Sequence, residues 1–430
     1  MIAILIILLM PPAVAAATPP DTITLEEARE RARQHNPVGK QGELYHQITD
    51  ITLQNLDTGW YPDLSLRGTA QYQSDVTEVD IEPPVPDTEF DFPSQPNYRY
   101  EVGLHLDQRI YDGGVTRSRR ESEQRSRDVR LQEIEVNQHH LQEQVESVYF
   151  AILSLRTQQS SLEMLKEDLE TRIAELETAR REGTVPASAV DLLSAELIEI
   201  RQNRLKLESR ERSAVNALSE LISTPLDEQV ALVLPEYDIE EHELNFNNRP
   251  EMHLFQAQRD QLESRRGLAA SALLPAVSAF GQASYGRPGL NLFDDEFQPW
   301  FIIGIRAQWS FWDWGNQSRE QEALTLQQHI VDRQQDEFLM SLRAEAQKEL
   351  EEIRRLHNAM KLDDELIALR DRIVNEAESR LDHGAITATE YLGKLNARHR
   401  AKLLRHQHEI ELARAYVKLN TRMGDRVTGY

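Results

Sequence analysis

Residues 115–182 read VTRSRRESEQRSRDVRLQEIEVNQHHLQEQVESVYFAILSLRTQQSSLEMLKEDLETRIAELETARRE, 68 positions without a glycine or a proline, and Gly183 follows. Residues 316–383 do the same: 68 positions without either residue, closed by Gly384. An uninterrupted helix of that length runs about 100 Å at about 1.5 Å per residue. No globular core requires so long a rod. Inside the first run Leu155, Leu162, Leu169 and Leu176 recur every seven residues, with Leu165 and Ile173 between them, which predicts a coiled-coil seam. Each run follows an aspartate-containing turn, Tyr111-Asp112-Gly113-Gly114 and Trp312-Asp313-Trp314-Gly315.

Working outward, the first rod turns at Gly183-Thr184-Val185-Pro186, and a return helix is expected over 187–223, with Leu193, Leu197, Ile200 and Leu207 on one face. Upstream, Thr24 with Glu27 three residues on predicts a capping box for a helix that Asn36-Pro37 interrupts. A second helix is expected to about Thr58, ended by Trp60-Tyr61-Pro62. Then Leu64, Leu66, Gly68, Ala70 and Tyr72 alternate with polar residues, as do Tyr100, Val102, Leu104 and Leu106, which predicts strands over 63–73 and 99–111. The loop between them, about 74–97, is rich in proline and acid.

After a linker at 224–248 the pattern recurs. Pro37 and Pro62 reappear at Pro250 and Pro275, shifted by 213; Asp112, Gly114 and Gly183 reappear at Asp313, Gly315 and Gly384, shifted by 201. The difference of 12 falls in the loop between strands, where length variation is tolerated. Strands are expected at 276–286 and 300–312 and a second helical hairpin at 316–423. The fold class is thus mainly α with a membrane β-barrel contribution. Two tandem β-β-long-helical-hairpin repeats, 18–223 and 249–424, leave a tail at 425–430.

The net charge of −24 argues against nucleic acid as a partner, because the phosphate backbone would be repelled. There is no cysteine, hence no disulfide, thiolate metal site or lipidated cysteine. Ile2–Met10 is an apolar run of nine, broken by Pro11-Pro12 and followed by Ala15-Ala16-Ala17. That predicts a secretory signal peptide over 1–17, although no Lys or Arg precedes the run. No later stretch is long and apolar enough for a membrane helix.

Four strands of about ten residues match the length that crosses a bilayer when tilted. Aromatics at their ends, Tyr72, Tyr100, Tyr111, Phe301, Trp309 and Trp312, suit the two membrane interfaces. Four strands cannot close a barrel, and open edges in hydrocarbon cost several kcal/mol per unpaired group, roughly. Membrane insertion therefore requires copies: a dimer supplies eight strands and a trimer twelve, and only the larger barrel leaves a lumen.

At this point the motifs form a recognisable set. Thr24-Leu25-Glu26-Glu27-Ala28 through Asn36-Pro37, Tyr61-Pro62, and Leu106-Asp107-Gln108-Arg109-Ile110-Tyr111-Asp112-Gly113-Gly114 come from the first half. Arg249-Pro250-Glu251-Met252, Leu273-Leu274-Pro275 and Trp309-Ser310-Phe311-Trp312-Asp313 come from the second. In order, spacing and duplication they resemble the outer-membrane efflux protein family, the TolC-like channel proteins, over residues 23–424. The resemblance implies a homotrimer in the outer membrane of a Gram-negative bacterium, with a twelve-stranded barrel and a long periplasmic α-helical barrel. It implies an exit duct for a tripartite efflux pump or type I secretion system that docks a periplasmic adaptor and, through it, an inner-membrane pump. Such a duct is not an enzyme and holds no cofactor or metal. Three positions depart from the family pattern: Arg109 stands where proline is usual, Trp314 replaces the first glycine of the second turn, and Gly393 interrupts the last helix at about 1 kcal/mol relative to alanine.

The resemblance also places sites. Lumen-facing acids past the second tip narrow the periplasmic aperture in the family. Glu390 occupies the first such position, the second falls on Gly393, and Asp382 is a substitute. A ring of these carboxylates would favour cations. The tyrosine and arginine of the aperture lock appear as Leu381 and Ile386. The tips that would meet the adaptor are Gly183, Thr184 and Val185, and Gly384, Ala385 and Ile386. The paired acids of the rods, such as Glu349-Leu350-Glu351-Glu352, read as a solvated face rather than as acid–base catalysts. Neither His139-His140 nor His406 with His408 has the spacing that sets two rings on one helix face. The alternative reading is a soluble periplasmic coiled-coil adaptor or scaffold whose strands form a small sheet.

Overall fold

The alternation of the four β segments becomes one antiparallel sheet, and each glycine- and proline-free run becomes one unbroken helix of 67 residues. The computed structural model describes residues 22–77, 95–237 and 244–424. The order there is β1 (Thr22–Ile23), α1 (Leu25–His35), α2 (Gln41–Thr58), β2 (Asp63–Tyr72), β3 (Tyr98–Tyr111), α3 (Val115–Arg181) and α4 (Ala187–Leu221). Then come β4 (Ala231–Leu232), α5 (Pro250–Ser271), β5 (Ala276–Arg287), β6 (Gln298–Gln308), α6 (Asn316–Asp382) and α7 (Ala388–Met423). The expected signal peptide at 1–17, the tail at 425–430, and parts of the proline-rich loop and of the linker lie outside the described residues.

The sheet runs β2-β3-β5-β6. Residues directly opposite one another share a face. Leu66↔Leu104, Leu104↔Ala283 and Ala283↔Phe301 lie in one apolar row; Arg67↔Gly103, Gly103↔Ser284 and Ser284↔Trp300 lie on the other face. The pairing of β3 with β5 shifts register between Arg109 and Tyr111. One expectation needs correction. The last strand ends at Gln308, so Trp309, Phe311 and Trp312 follow the strand rather than belong to it. The reason is its partner: Ala276↔Gln308 is the last rung, because the preceding Pro275 has no N–H to continue the ladder.

Thr24 caps α1 by accepting from the Glu27 amide at 3.2 Å. Among the described residues the expected box is only half made, since the Glu27 carboxylate accepts instead from Arg31 at 2.5 Å. A complete box sits on α7: Thr387 Oγ1 accepts from the Glu390 amide at 3.2 Å and Glu390 Oε2 accepts from the Thr387 amide at 3.1 Å.

Packing groups the chain into two compact units that cut across the sequence halves. One, Lys40–Val136 with Pro250–Phe338, holds the sheet, α2, α5 and the first parts of α3 and α6. One small buried cluster in it is Leu262, Leu324 and Val331, with Phe255 against them. The other takes the residues up to Gly39, Asn137–Arg249 and Leu339 onward. In it, one cluster joins α1 to the later part of α3 through Ile23, Ala28, Tyr149 and Ile152. The Tyr149 hydroxyl accepts from the Val233 amide at 2.9 Å and lies 2.9 Å from the Ile23 carbonyl oxygen, stitching the β1–β4 pair. Burial pushes its pKa up to about 12. A second cluster gathers the seam leucines Leu165, Leu169 and Leu176 with Leu193, Ile200, Leu381 and Leu395, so that α3, α4, α6 and α7 share a core near the tips. Each fully buried leucine there contributes about 1.5–3 kcal/mol.

Candidate functional site

Three places carry the chain's functional expectations: the sheet's apolar face, the strand-to-helix turns and the hairpin tips. On the sheet, leucine, isoleucine and aromatic side chains alternate outward, and among the described residues they stay exposed. Leu66 is 75% exposed, Ile303 78% and Phe301 71%. Soluble proteins rarely expose an apolar surface this continuous. The opposite face is polar: Glu101 Oε1 accepts from Gln282 Nε2 at 2.7 Å and from Ser284 Oγ at 3.0 Å. The Arg306 guanidinium lies 4.9 Å from the centroid of the Phe280 ring, and that ring covers Gly304, where a Cβ would come within 2.7 Å of it. Among the described residues β2 and β6 each have a neighbour on one side only, so both ends of the sheet are open edges.

At the first turn the Asp112 carboxylate accepts from the Gly114 amide at 2.9 Å and the Thr116 amide at 2.7 Å, capping α3. Burial would raise its pKa, but hydrogen bonds from the Thr116 hydroxyl, the Thr116 amide and the Gly114 amide, with the Arg109 charge, hold it below the usual aspartate value. Gly113 has φ of 70°, and a Cβ there would meet Leu274 Cβ at 2.7 Å, so this turn needs glycine twice over. The second turn repeats the cap. Asp313 accepts from the Gly315 amide at 2.9 Å and the Gln317 amide at 2.8 Å, and these amides, Gln317 first, hold its carboxyl low. Trp314 takes φ of 57°, the left-handed conformation of the glycine it replaces. The junction geometry is therefore kept at the expense of backbone strain. Arg109, in the usual proline position, sits at the register shift of β3, with Nη1 3.4 Å from Thr116 Oγ1.

At the tips Gly183 and Gly384 have φ of 77° and 66° and end their helices in the left-handed conformation. Thr184 donates its amide to Ala179 O at 3.0 Å, and Ala385 donates to Arg380 O at 2.8 Å. Val185, Ile386, Leu176 and Leu381 line a cavity of about 690 Å³ between the two hairpins. Arg172 is buried at its edge. It donates to Glu175 at 2.6 Å and to Asp382, and its guanidinium lies 5.3 Å from the centroid of the Tyr391 ring. Asp382 is thus committed to an ion pair, and Glu390 to the α7 cap. Glu390 also borders a second cavity, of about 730 Å³, with Arg370, Arg380, Lys394 and Gly393. Sequence reading missed Arg172: a lone arginine in a charged rod carries no signal until its helical neighbours are known.

The architecture comprises a two-faced four-stranded sheet and two long helical hairpins. Residues 28–224 match the sequence profile of the family described as outer membrane efflux protein. The fold is similar to that of CusC, whose crystal structures concern folding and transmembrane channel formation: 14% identity over 94% of this chain and 92% of that one, TM-score 0.73. It is also similar to the outer membrane protein VceC of Vibrio cholerae (13% identity, 93% of this chain and 96% of that one, TM-score 0.68). The Campylobacter jejuni CmeC outer membrane channel gives 15% identity over 94% of this chain and 87% of that one, with a TM-score of 0.67. No curated protein sequence matches the chain. Profile and fold together bear out the resemblance to the outer-membrane efflux proteins.

Proposed function

We propose that the protein is an outer-membrane efflux channel: a homotrimer whose twelve strands close a barrel in the outer membrane, with the helical hairpins forming a periplasmic duct. The observation that carries this is the sheet. It has one exposed apolar face, one hydrogen-bonded polar face and two open edges. Hydrocarbon tolerates the apolar face and forbids the edges; copies of the same chain supply the missing neighbours. The polar face then lines water. The small-residue tips, Gly183-Thr184-Val185 and Gly384-Ala385-Ile386, are surfaces for a periplasmic adaptor, which hands cargo from an inner-membrane efflux pump or a type I secretion exporter. The periplasmic aperture lies at the same end, where Glu390 and Asp382 are the acids available to it. The turns at Asp112-Gly113-Gly114 and Asp313-Trp314-Gly315 set the angle at which strand becomes rod.

The test is oligomeric state and conductance. Detergent-purified protein should have the mass of three chains and give ion-conducting channels in a planar bilayer. A detergent-independent monomer without conductance would sink the proposal. The soluble-scaffold alternative leaves Leu66, Phe301, Ile303 and Ile305 in water, which is why it is the weaker reading.

A further inference from the structure

The chain as a whole is acidic, yet α3 begins with a basic stretch. Six arginines, Arg117, Arg119, Arg120, Arg125, Arg127 and Arg130, face three acids, Glu121, Glu123 and Asp128, within the first 16 residues, a local charge of +3 in a chain of −24. The equivalent stretch of α6 has only Arg319 against Glu320 and Glu322, and Arg319 is occupied by the Trp314 carbonyl oxygen at 3.0 Å. The basic stretch therefore marks one junction, not both.

The arginines also form a place. Arg117, Arg120, Arg125 and Arg127 line an open cavity of about 710 Å³, with Asp57 and Trp60 at the end of α2 beside it and Glu121 and Asp128 as the other charged groups of its wall. Arg120 pairs with Asp57, and Arg127 with Asp128 at 2.8 Å. Arg117 and Arg119 are exposed and form no ion pair among the described residues. Arg117 and Arg120 are three apart and share a helix face; Arg119 points to the other side.

We propose that this cavity binds the phosphate of an anionic phospholipid headgroup in the periplasmic leaflet, with Arg117 as the principal ligand. The inference rests on the reading of the sheet as membrane-spanning. Arg117 and Arg120 lie five and eight residues beyond Asp112, about 8 and 12 Å along the helix. The headgroup layer adds about 5–8 Å beyond the hydrocarbon. Helical side chains lean toward the N-terminus, here back toward the sheet, which closes the remaining gap. A guanidinium matches phosphate with two parallel hydrogen bonds, and an unpaired one gives up no carboxylate to do so. Trp60 beside the cavity is a residue type that favours the interface.

The test is native mass spectrometry of the full-length protein titrated with phosphatidylglycerol, phosphatidylcholine and glycerol phosphate. Wild type should retain phosphatidylglycerol about tenfold better than phosphatidylcholine. Arg117→Gln should abolish that preference, Arg117→Lys should keep part of it, and Arg119→Gln should weaken it by no more than about threefold. Arg117 and Arg119 are exposed and unpaired, so neither change disturbs folding. Equal losses in Arg117→Gln and Arg119→Gln would mean diffuse attraction and overturn the site, as would no preference in wild type. Competition by glycerol phosphate would overturn the lipid as the source of the phosphate. An Arg117→Gln variant that splits the oligomer with its lipid preference intact would assign this face to a second copy and overturn the proposal. Lipid preference without conductance would remove the channel reading alone.

Discussion

At the scale of single residues, the two capping aspartates do the same work on different backbones. Asp112 sits on Gly113 and Gly114, Asp313 on Trp314 and Gly315, and both turns keep the left-handed step. Asp112→Ala removes the side-chain acceptor of two backbone amides at the start of α3 and should cost about 1–2 kcal/mol, read as a lowered thermal midpoint. Both carboxyls are held below the ordinary aspartate pKa in the folded chain. A depressed folded pKa gives stability that is complete above the unfolded value and disappears as pH falls through the folded value. Acid melts of wild type should therefore converge with those of Asp112→Ala only below the ordinary aspartate range. Trp314 offers a cleaner backbone test. Trp314→Gly and Trp314→Ala both lose the indole, but only glycine relieves φ of 57°, so the glycine variant should be the more stable by about 1 kcal/mol. Equal stabilities would show that the turn stores no strain.

At the scale of elements, the four helices near the tips are held by leucines and one buried arginine. Arg172 joins α3 to α6 through Asp382 and rests against Tyr391 of α7. Asp382 is half exposed, so solvent screening discounts the pair; Arg172→Ala should cost about 1–3 kcal/mol, mostly through lost hydrogen bonds and packing. Hydrogen exchange should speed up in α3, α6 and α7 around the tips and remain unchanged in β2–β6. Unchanged exchange at the tips would mean that Arg172 fills space without restraining the hairpins. The sequence made the seam partly legible: of the heptad leucines Leu169 and Leu176 are buried while Leu155 and Leu162 are half-buried, and Leu193, Ile200 and Leu207 are buried on the expected face of the return helix. It gave no sign of Arg172, because a lone cation is common in any charged helix; the Thr387–Glu390 box did carry the same Thr-x-x-Glu spacing as Thr24–Glu27.

At the scale of the whole molecule, the sheet decides what the protein can be. Ile303→Arg puts a charge on the apolar face and should lower the stability of the vesicle-inserted state by about 2–4 kcal/mol. Thr69→Arg, on the polar face, should have little effect on the same folding titration. A penalty of equal size for the two would mean that neither face meets lipid, and the channel reading would lose its basis.

Chemistry periodic along the chain was legible in advance. Alternation fixed which strand residues share a face, the glycine- and proline-free runs fixed the rods, and the aspartate turns fixed where one becomes the other, because each is a local constraint on backbone and hydration. Tertiary structure alone decided the rest. The last strand stops at Gln308 because its partner begins after Pro275, and Trp309 with its aromatic neighbours falls beyond the ladder. Asp382, offered by the sequence as a substitute aperture acid, pairs with Arg172 of another helix. The arginines of α3 line a cavity only with the end of α2 beside them. Each of these depends on a residue far away in sequence, and a one-dimensional pattern does not contain that distance.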